Sequence, residues 1–276
     1  MRYHFPSFRA WLTTVLVLGN TAASGQDALN DWDTYVTSLN GRTPVSVLVN
    51  LALVQKNVQR ARPFAIILRT KIHFPDALGQ PGQEEMGELD SMENHLEKGL
   101  RDHVGAVYAG RFTQRGLREF YFYGLDTLDY LRPVREAMAE HAGYDWLCQA
   151  RYDKDWTNYQ QVLYPSPRDL ERIQDLRLVE RLRKKGDPLR EARPVEHYLF
   201  FKTRSDREGF LRDPVMGGFQ ILEMPDDPGK GDHPYLLHVS RKDVPDRVFI
   251  DKVILPLWDA AVKRGGRYDG WEADAL

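Results

Sequence analysis

Residues 195–224 read VEHYLFFKTRSDREGFLRDPVMGGFQILEM, and this stretch decides the fold of the C-terminal part of the chain. Val195–Lys202 is rich in β-branched and aromatic side chains, which marks a strand. Ser205–Pro214 follows as a helix, with Asp206 and Glu208 near its start, where acidic groups complement the positive end of the helix dipole. After Gly217-Gly218, Phe219–Met224 returns to strand. Working outward, Pro234–Arg241 and Gly266–Trp271 supply two further strands, and Val244–Lys263 a second helix with Asp243 as its expected N-cap. The order β-α-β-β-α-β predicts a ferredoxin-like α+β unit, an antiparallel sheet with both helices on one face.

Upstream, Arg168–Lys185 carries Leu170, Ile173, Leu176, Val179 and Leu182 in three-residue steps, a core-facing stripe on an otherwise charged helix. Gly186-Asp187-Pro188 stops it. Acidic residues interrupt its basic face and no aromatic interleaves, so nucleic-acid binding is not expected of it. Before Pro165 the chain reads as a second, mixed α+β unit. Strands are expected at Trp32–Leu39, Val45–Leu53, Phe64–Phe74, Ala106–Thr113, Leu117–Tyr123 and Tyr144–Tyr152, with helices at Glu84–Val104 and Thr127–His141. Asn40-Gly41 marks the first turn, and residues 114–116 the turn of a hairpin.

The 276 residues hold 38 basic and 40 acidic side chains, and a formal charge of −2 excludes a chain built around nucleic-acid phosphates. One cysteine, Cys148, excludes an internal disulfide framework, a CxxC redox site and a cysteine-rich zinc site. Arg2 and Arg9 precede an apolar run, Ala10–Leu18, followed by small residues around Ala23 and Gly25. This is the plan of a secretory signal over residues 1–25, too short to span a bilayer, and it points to the bacterial periplasm. The expected organisation is therefore a signal at 1–25, an α+β domain at 27–165, a linker helix at 166–186 and a ferredoxin-like domain at 187–276.

Gly186-Asp187-Pro188, Val195-Glu196-His197, Gly217-Gly218-Phe219 and the closing Tyr268-Asp269-Gly270-Trp271 resemble RraB, the regulator of ribonuclease E activity B. The N-terminal unit resembles the domain of unknown function 695, through Trp32 and Tyr35, Asn40-Gly41, Gly110-Arg111 and the run Arg118-Glu119-Phe120-Tyr121-Phe122-Tyr123. The RraB resemblance implies a ferredoxin-like fold and a non-catalytic protein that binds the endoribonuclease and restrains it. The second resemblance adds organisation and no chemistry. Here, residues 186–276 hold 17 acidic and 14 basic side chains, where RraB proper is strongly acidic.

No GxSxG elbow, phosphate loop, HExxH or EF-hand spacing is present, so no metal and no cofactor is expected. His95 and His103 are eight residues apart on one helix and read as solvated. The weak catalytic candidates are Glu196, His197 and Asp269, which with Glu272 can converge if the first and last strands are neighbours. Along a strand, however, Glu196 and His197 face opposite sides. Tyr121, Tyr123, Tyr268 and Trp271 are the aromatic candidates for a binding surface, with core packing as the alternative. Cover for the second face of the Tyr121–Tyr123 strand is expected from the C-terminal unit or from the 168–185 helix. Three functional classes stay open: an exported, non-catalytic protein-binding module; a cytoplasmic ribonuclease E regulator; and a small-molecule hydrolase or binding protein using an inter-domain cleft with Glu196, His197 and Arg118 or Glu119.

Overall fold

The computed structural model describes residues 30–39, 43–227 and 231–276. The expected signal at 1–25 and the Asn40-Gly41 turn lie outside the described residues. The chain divides between Pro165 and Ser166 into two units.

The N-terminal unit holds a six-stranded antiparallel sheet in the order β1-β2-β4-β5-β3-β6. Its strands are β1 Trp32–Leu39, β2 Thr43–Asn50, β3 Phe64–Lys71, β4 Val107–Gln114, β5 Leu117–Gly124 and β6 Trp146–Tyr152. The helices are α1 Lys56–Ala61, α2 Gln83–Val104 and α3 Leu131–Ala139. On one face Ile66, Leu68, Phe120 and Phe122 pack with Leu89, Met92 and Leu96 of α2 and Val134 of α3. The other face is closed from within the same unit by residues 153–163, which end in a π-helical turn at Tyr159–Leu163. Trp156 stacks on Tyr123 at 3.7 Å, its Nε1 donates to the Gln59 and Arg62 carbonyls, and the Tyr159 hydroxyl donates to Asn50 O at 2.8 Å. This cover is a correction to the sequence reading, which looked for it further along the chain.

The C-terminal unit begins with α4 Pro167–Lys184 and continues β7 Arg193–Phe201, α5 Arg204–Leu211, β8 Gln220–Glu223, β9 Tyr235–Asp243, α6 Arg247–Phe249, a π-helical turn at Ile250–Ile254, α7 Leu255–Lys263 and β10 Arg267–Ala273. The sheet is antiparallel throughout, in the order β10-β7-β9-β8. Val195, Leu199, Phe201, Leu237 and Val239 point into a core shared with Phe210 of α5, Leu257 and Ala261 of α7, and Val179 and Leu182 of α4. The charged helix is thus built into this unit. Ile173, Val179 and Leu182 of its stripe are buried and Leu170 and Leu176 half-buried, and Arg168–Asp259, Arg172–Asp251 and Glu180–Arg247 pairs tie its polar side down.

Asp243 is not the N-cap expected of it: it ends β9 and pairs with Arg241 at 2.8 Å. The cap is Asp246, whose carboxylate accepts from Phe249 N at 2.9 Å. Pro245 disfavours helical backbone at Val244, so the helix starts after the proline. Pro256 lacks the N–H that would continue the ladder, and the π-helical turn falls just before it.

Candidate functional site

Strand β7 sets out two different surfaces. Its odd-numbered residues 193–201 are buried and its even-numbered residues are exposed or half-buried. The even set, Glu196, Tyr198 and Phe200, faces away from the helices.

Strand β10 completes this arrangement through a bulge. Tyr268 and Trp271 are three residues apart, and in a regular strand they would face opposite sides. The register shifts between Tyr268 and Gly270, and Gly270 sits at φ +111°, a conformation that favours glycine. Both rings therefore turn into the core. Beyond the bulge Glu272 pairs directly opposite Glu196.

The open face has its own bonds. Tyr198 stacks on His238 of β9 at 4.3 Å, His238 Nε2 lies 2.9 Å from Glu196 Oε2, and the Tyr198 hydroxyl donates to Glu272 Oε1 at 2.5 Å. Burial, and then the Glu272 carboxylate, push the Tyr198 phenol above its ordinary range and keep it neutral. Leu236 lies opposite Phe200, and Glu223 of β8 opposite His238. The Arg267 guanidinium sits 5.0 Å over the Phe200 ring.

On the opposite face His197 is fully buried among Phe219, Phe249 and Tyr268. Its Nδ1 is 2.8 Å from the Tyr268 hydroxyl, and its Nε2 has no hydrogen-bond partner among the described residues. Burial, helped by the Arg241 charge, lowers its pKa to about 3, so the ring is neutral. Nearby, Trp271 Nε1 donates to Asp175 Oδ1 at 2.9 Å. Burial, and then Glu171, raise the Asp175 carboxyl well above its usual range.

The catalytic candidates do not converge. Glu196 meets Glu272 and His238 on the open face, His197 lies on the core face, and Asp269 is held in the bulge, 3.3 Å from Arg267. The four aromatic candidates, Tyr121, Tyr123, Tyr268 and Trp271, are all buried. The bulge turns Tyr268 and Trp271 into the core, and Trp156 encloses Tyr123. In the N-terminal unit Arg118 is buried on Thr113 Oγ1 and Glu119 binds Arg69. Burial pushes the Cys148 thiol up to about 12, which leaves it inert as a nucleophile at neutral pH.

One constellation escaped the sequence reading. His95 does not pair with His103; its Nδ1 is 3.2 Å from His141 Nε2, whose Nδ1 is 2.6 Å from Glu88. His141 follows α3, so no spacing within one helix could announce the pair. His141 borders a depression of about 350 Å³ lined also by His73, Glu84, Glu85, Glu88 and Glu140. Burial would raise Glu85, but the His73 and Phe74 N–H groups and the Tyr144 hydroxyl bind it and hold its pKa below normal. Among the described residues no group of three or more His, Cys, Asp or Glu is placed to hold a metal ion. Nor is any described helix long and apolar enough to cross a membrane.

Among the described residues the fold defines a pair of α+β units, one with its sheet covered on both faces and one with its helices on a single face of the sheet. Each unit is similar to a known family. Residues 30–164 match the family of unknown function DUF695, and residues 172–273 match the family described as regulator of ribonuclease activity B, as the motifs indicated. The second match reaches back into α4, in keeping with that helix's place in the C-terminal core. No curated protein matches the chain. A solved structure described as an unknown protein from Galdieria sulphuraria is similar at 10% identity, covering 78% of this chain and 98% of that one, with a TM-score of 0.20.

Proposed function

We propose that this chain is an exported regulatory protein that acts by binding another protein through a ferredoxin-like, RraB-type domain and has no reaction centre of its own. The observation that carries this is the open face of the C-terminal sheet, where Tyr198, Phe200 and Leu236 are only half-buried, while Glu196 and Glu272 are engaged with His238 and Tyr198 on that face and His197 lies apart from them on the core face. Partly exposed aromatic rings on a rigid sheet suit a contact surface better than a catalytic cleft. The match to the ribonuclease regulator family supports the regulatory reading. Strand order β10-β7-β9-β8 supports the ferredoxin-like assignment, since it interleaves the two β-α-β halves.

Export rests on Arg2, Arg9 and the Ala10–Leu18 run, and an exported chain does not meet a cytoplasmic ribonuclease. The module then works on a different partner. N-terminal sequencing of the protein from fractionated cells tests this: a periplasmic form starting near Gln26 is expected. A photo-crosslinking residue at position 198 in the same cells is expected to capture a discrete protein. Turnover of a substrate abolished by His197→Ala would overturn the non-catalytic reading. A second reading, favoured by the family match alone, keeps a cytoplasmic ribonuclease E regulator. A cytoplasmic chain retaining Arg2 and Arg9 and co-purifying with that enzyme would establish it.

A further inference from the structure

We infer that the open face of the C-terminal sheet receives a lysine- or arginine-rich segment of a partner protein. This rests on the protein-binding reading and gives the partner its chemistry. Three strands contribute carboxylates to the face: Glu272 on β10, Glu196 on β7 and Glu223 on β8. Glu272 and Glu196 are directly opposite each other, an arrangement that costs stability in an isolated sheet. Within the sheet they are answered by His238 and by the neutral Tyr198 hydroxyl, and among the described residues no lysine or arginine forms an ion pair with either. A locally unfavourable pair on an otherwise well-packed sheet is the signature of a surface shaped for a ligand.

The face also shows how a cation sits on it. Arg267 places its guanidinium over Phe200 at one end, a cation–π seat made by the chain itself. At the other end the stacked Tyr198 and His238 rings lie beside Glu196 and Glu272 with the same combination of aromatic surface and carboxylate. Gly270, which pairs opposite Tyr198, has no side chain to screen that ring. A guanidinium or ammonium group entering here gains charge-assisted bonds and relieves the like-charge pair. Phosphates meet the wrong sign of charge, so a nucleic acid is the partner this face disfavours.

The test uses the full chain and a labelled peptide of repeated Arg-Gly-Ser units, with an acidic Glu-Gly-Ser peptide and a single-stranded RNA as comparisons. Anisotropy at low salt is expected to show binding of the arginine peptide alone, weakening as salt rises. Glu196→Gln with Glu272→Gln is expected to weaken it about tenfold, as loss of steering and pairing charges does. Asp129→Asn with Glu136→Gln removes the same charge from exposed sites on the N-terminal unit and is expected to leave binding unchanged. An equal loss in that control would reduce the effect to net charge and overturn the inference, as would RNA binding in preference to the peptide. If crosslinking at position 198 captures a protein while the arginine peptide does not bind, the basic segment is wrong and the protein-binding reading stands. If both fail, both fall.

Discussion

Tyr121 and Tyr123 of β5, and Tyr198 and Phe200 of β7, occupy comparable places in their sheets: aromatic residues on the face opposite the main helices. The first pair is buried, with Tyr123 pressed against Trp156, whereas the second remains half-exposed above β9 and β10. Both strands place apolar residues at odd and even positions, LREFYFYG in one and VEHYLFF in the other. The difference lies elsewhere in the chain. The N-terminal unit supplies residues 153–163 as a second cover. The described helices of the C-terminal unit all pack on one face. An aromatic strand thus becomes core or surface according to a segment that is not its neighbour in sequence.

The largest test of this contrast is Trp156→Ala. Removing the ring that closes the covered face is expected to cost about 3–5 kcal/mol, whereas Tyr198→Ala on the open face should cost far less. Denaturant unfolding with hydrogen exchange resolved to β5 and β7 reads both. Equal losses would erase the distinction between the sheets.

The next test concerns pH and separates the two faces of β7. His197 has a folded pKa of about 3, depressed by burial from an unfolded value near 6.5. Its contribution is present above pH ~6.5 and is lost as pH falls toward about 3, because the unfolded chain binds the proton more readily. His197→Phe is expected to flatten that acid limb in melts of the C-terminal unit. Asp175 runs the other way: its raised folded pKa gives stability present below the unfolded value and lost as pH rises through the folded one. Asp175→Asn keeps an acceptor for Trp271 and should flatten the rising-pH loss. Mutations at Glu196 should leave both limbs in place.

Gly270→Ala tests the bulge that directs Tyr268 and Trp271 inward. Open space surrounds its Cβ position, so the cost comes from the φ of +111° alone, of the order of 1–3 kcal/mol. A thermal shift measures it, and a neutral result would mean the bulge is not held by that glycine. Smallest is Glu272→Gln, expected to stabilise by about 0.2–1 kcal/mol through relief of the like-charge pair with Glu196. A loss of stability in the same melt would show that the carboxylate earns its place by folding rather than by contact.

Much of the architecture was legible locally. The alternating order of strands and helices after residue 193, the stripe on α4 and the opposed faces of Glu196 and His197 follow from periods of 2 and 3.6 residues, which neighbouring side chains impose on one another. The start of the second helix was misplaced because Asp243 and Asp246 are equally good caps, and Pro245 decides between them. The His95–His141 pair was invisible because its members sit on different segments. The inward turn of both Tyr268 and Trp271 was hidden by a bulge that breaks the period.

The amino-acid sequence by itself determined which residues require shelter and in what order the elements run. Only the tertiary structure decided who provides that shelter: Trp156 for Tyr123, α4 for Trp271, and for Tyr198 only the stacked His238 ring, which leaves it half-buried. Periodicity records that a side chain has an apolar environment to find, since it arises from backbone geometry. The identity of the covering segment depends on contacts between residues distant along the chain, which no local pattern encodes.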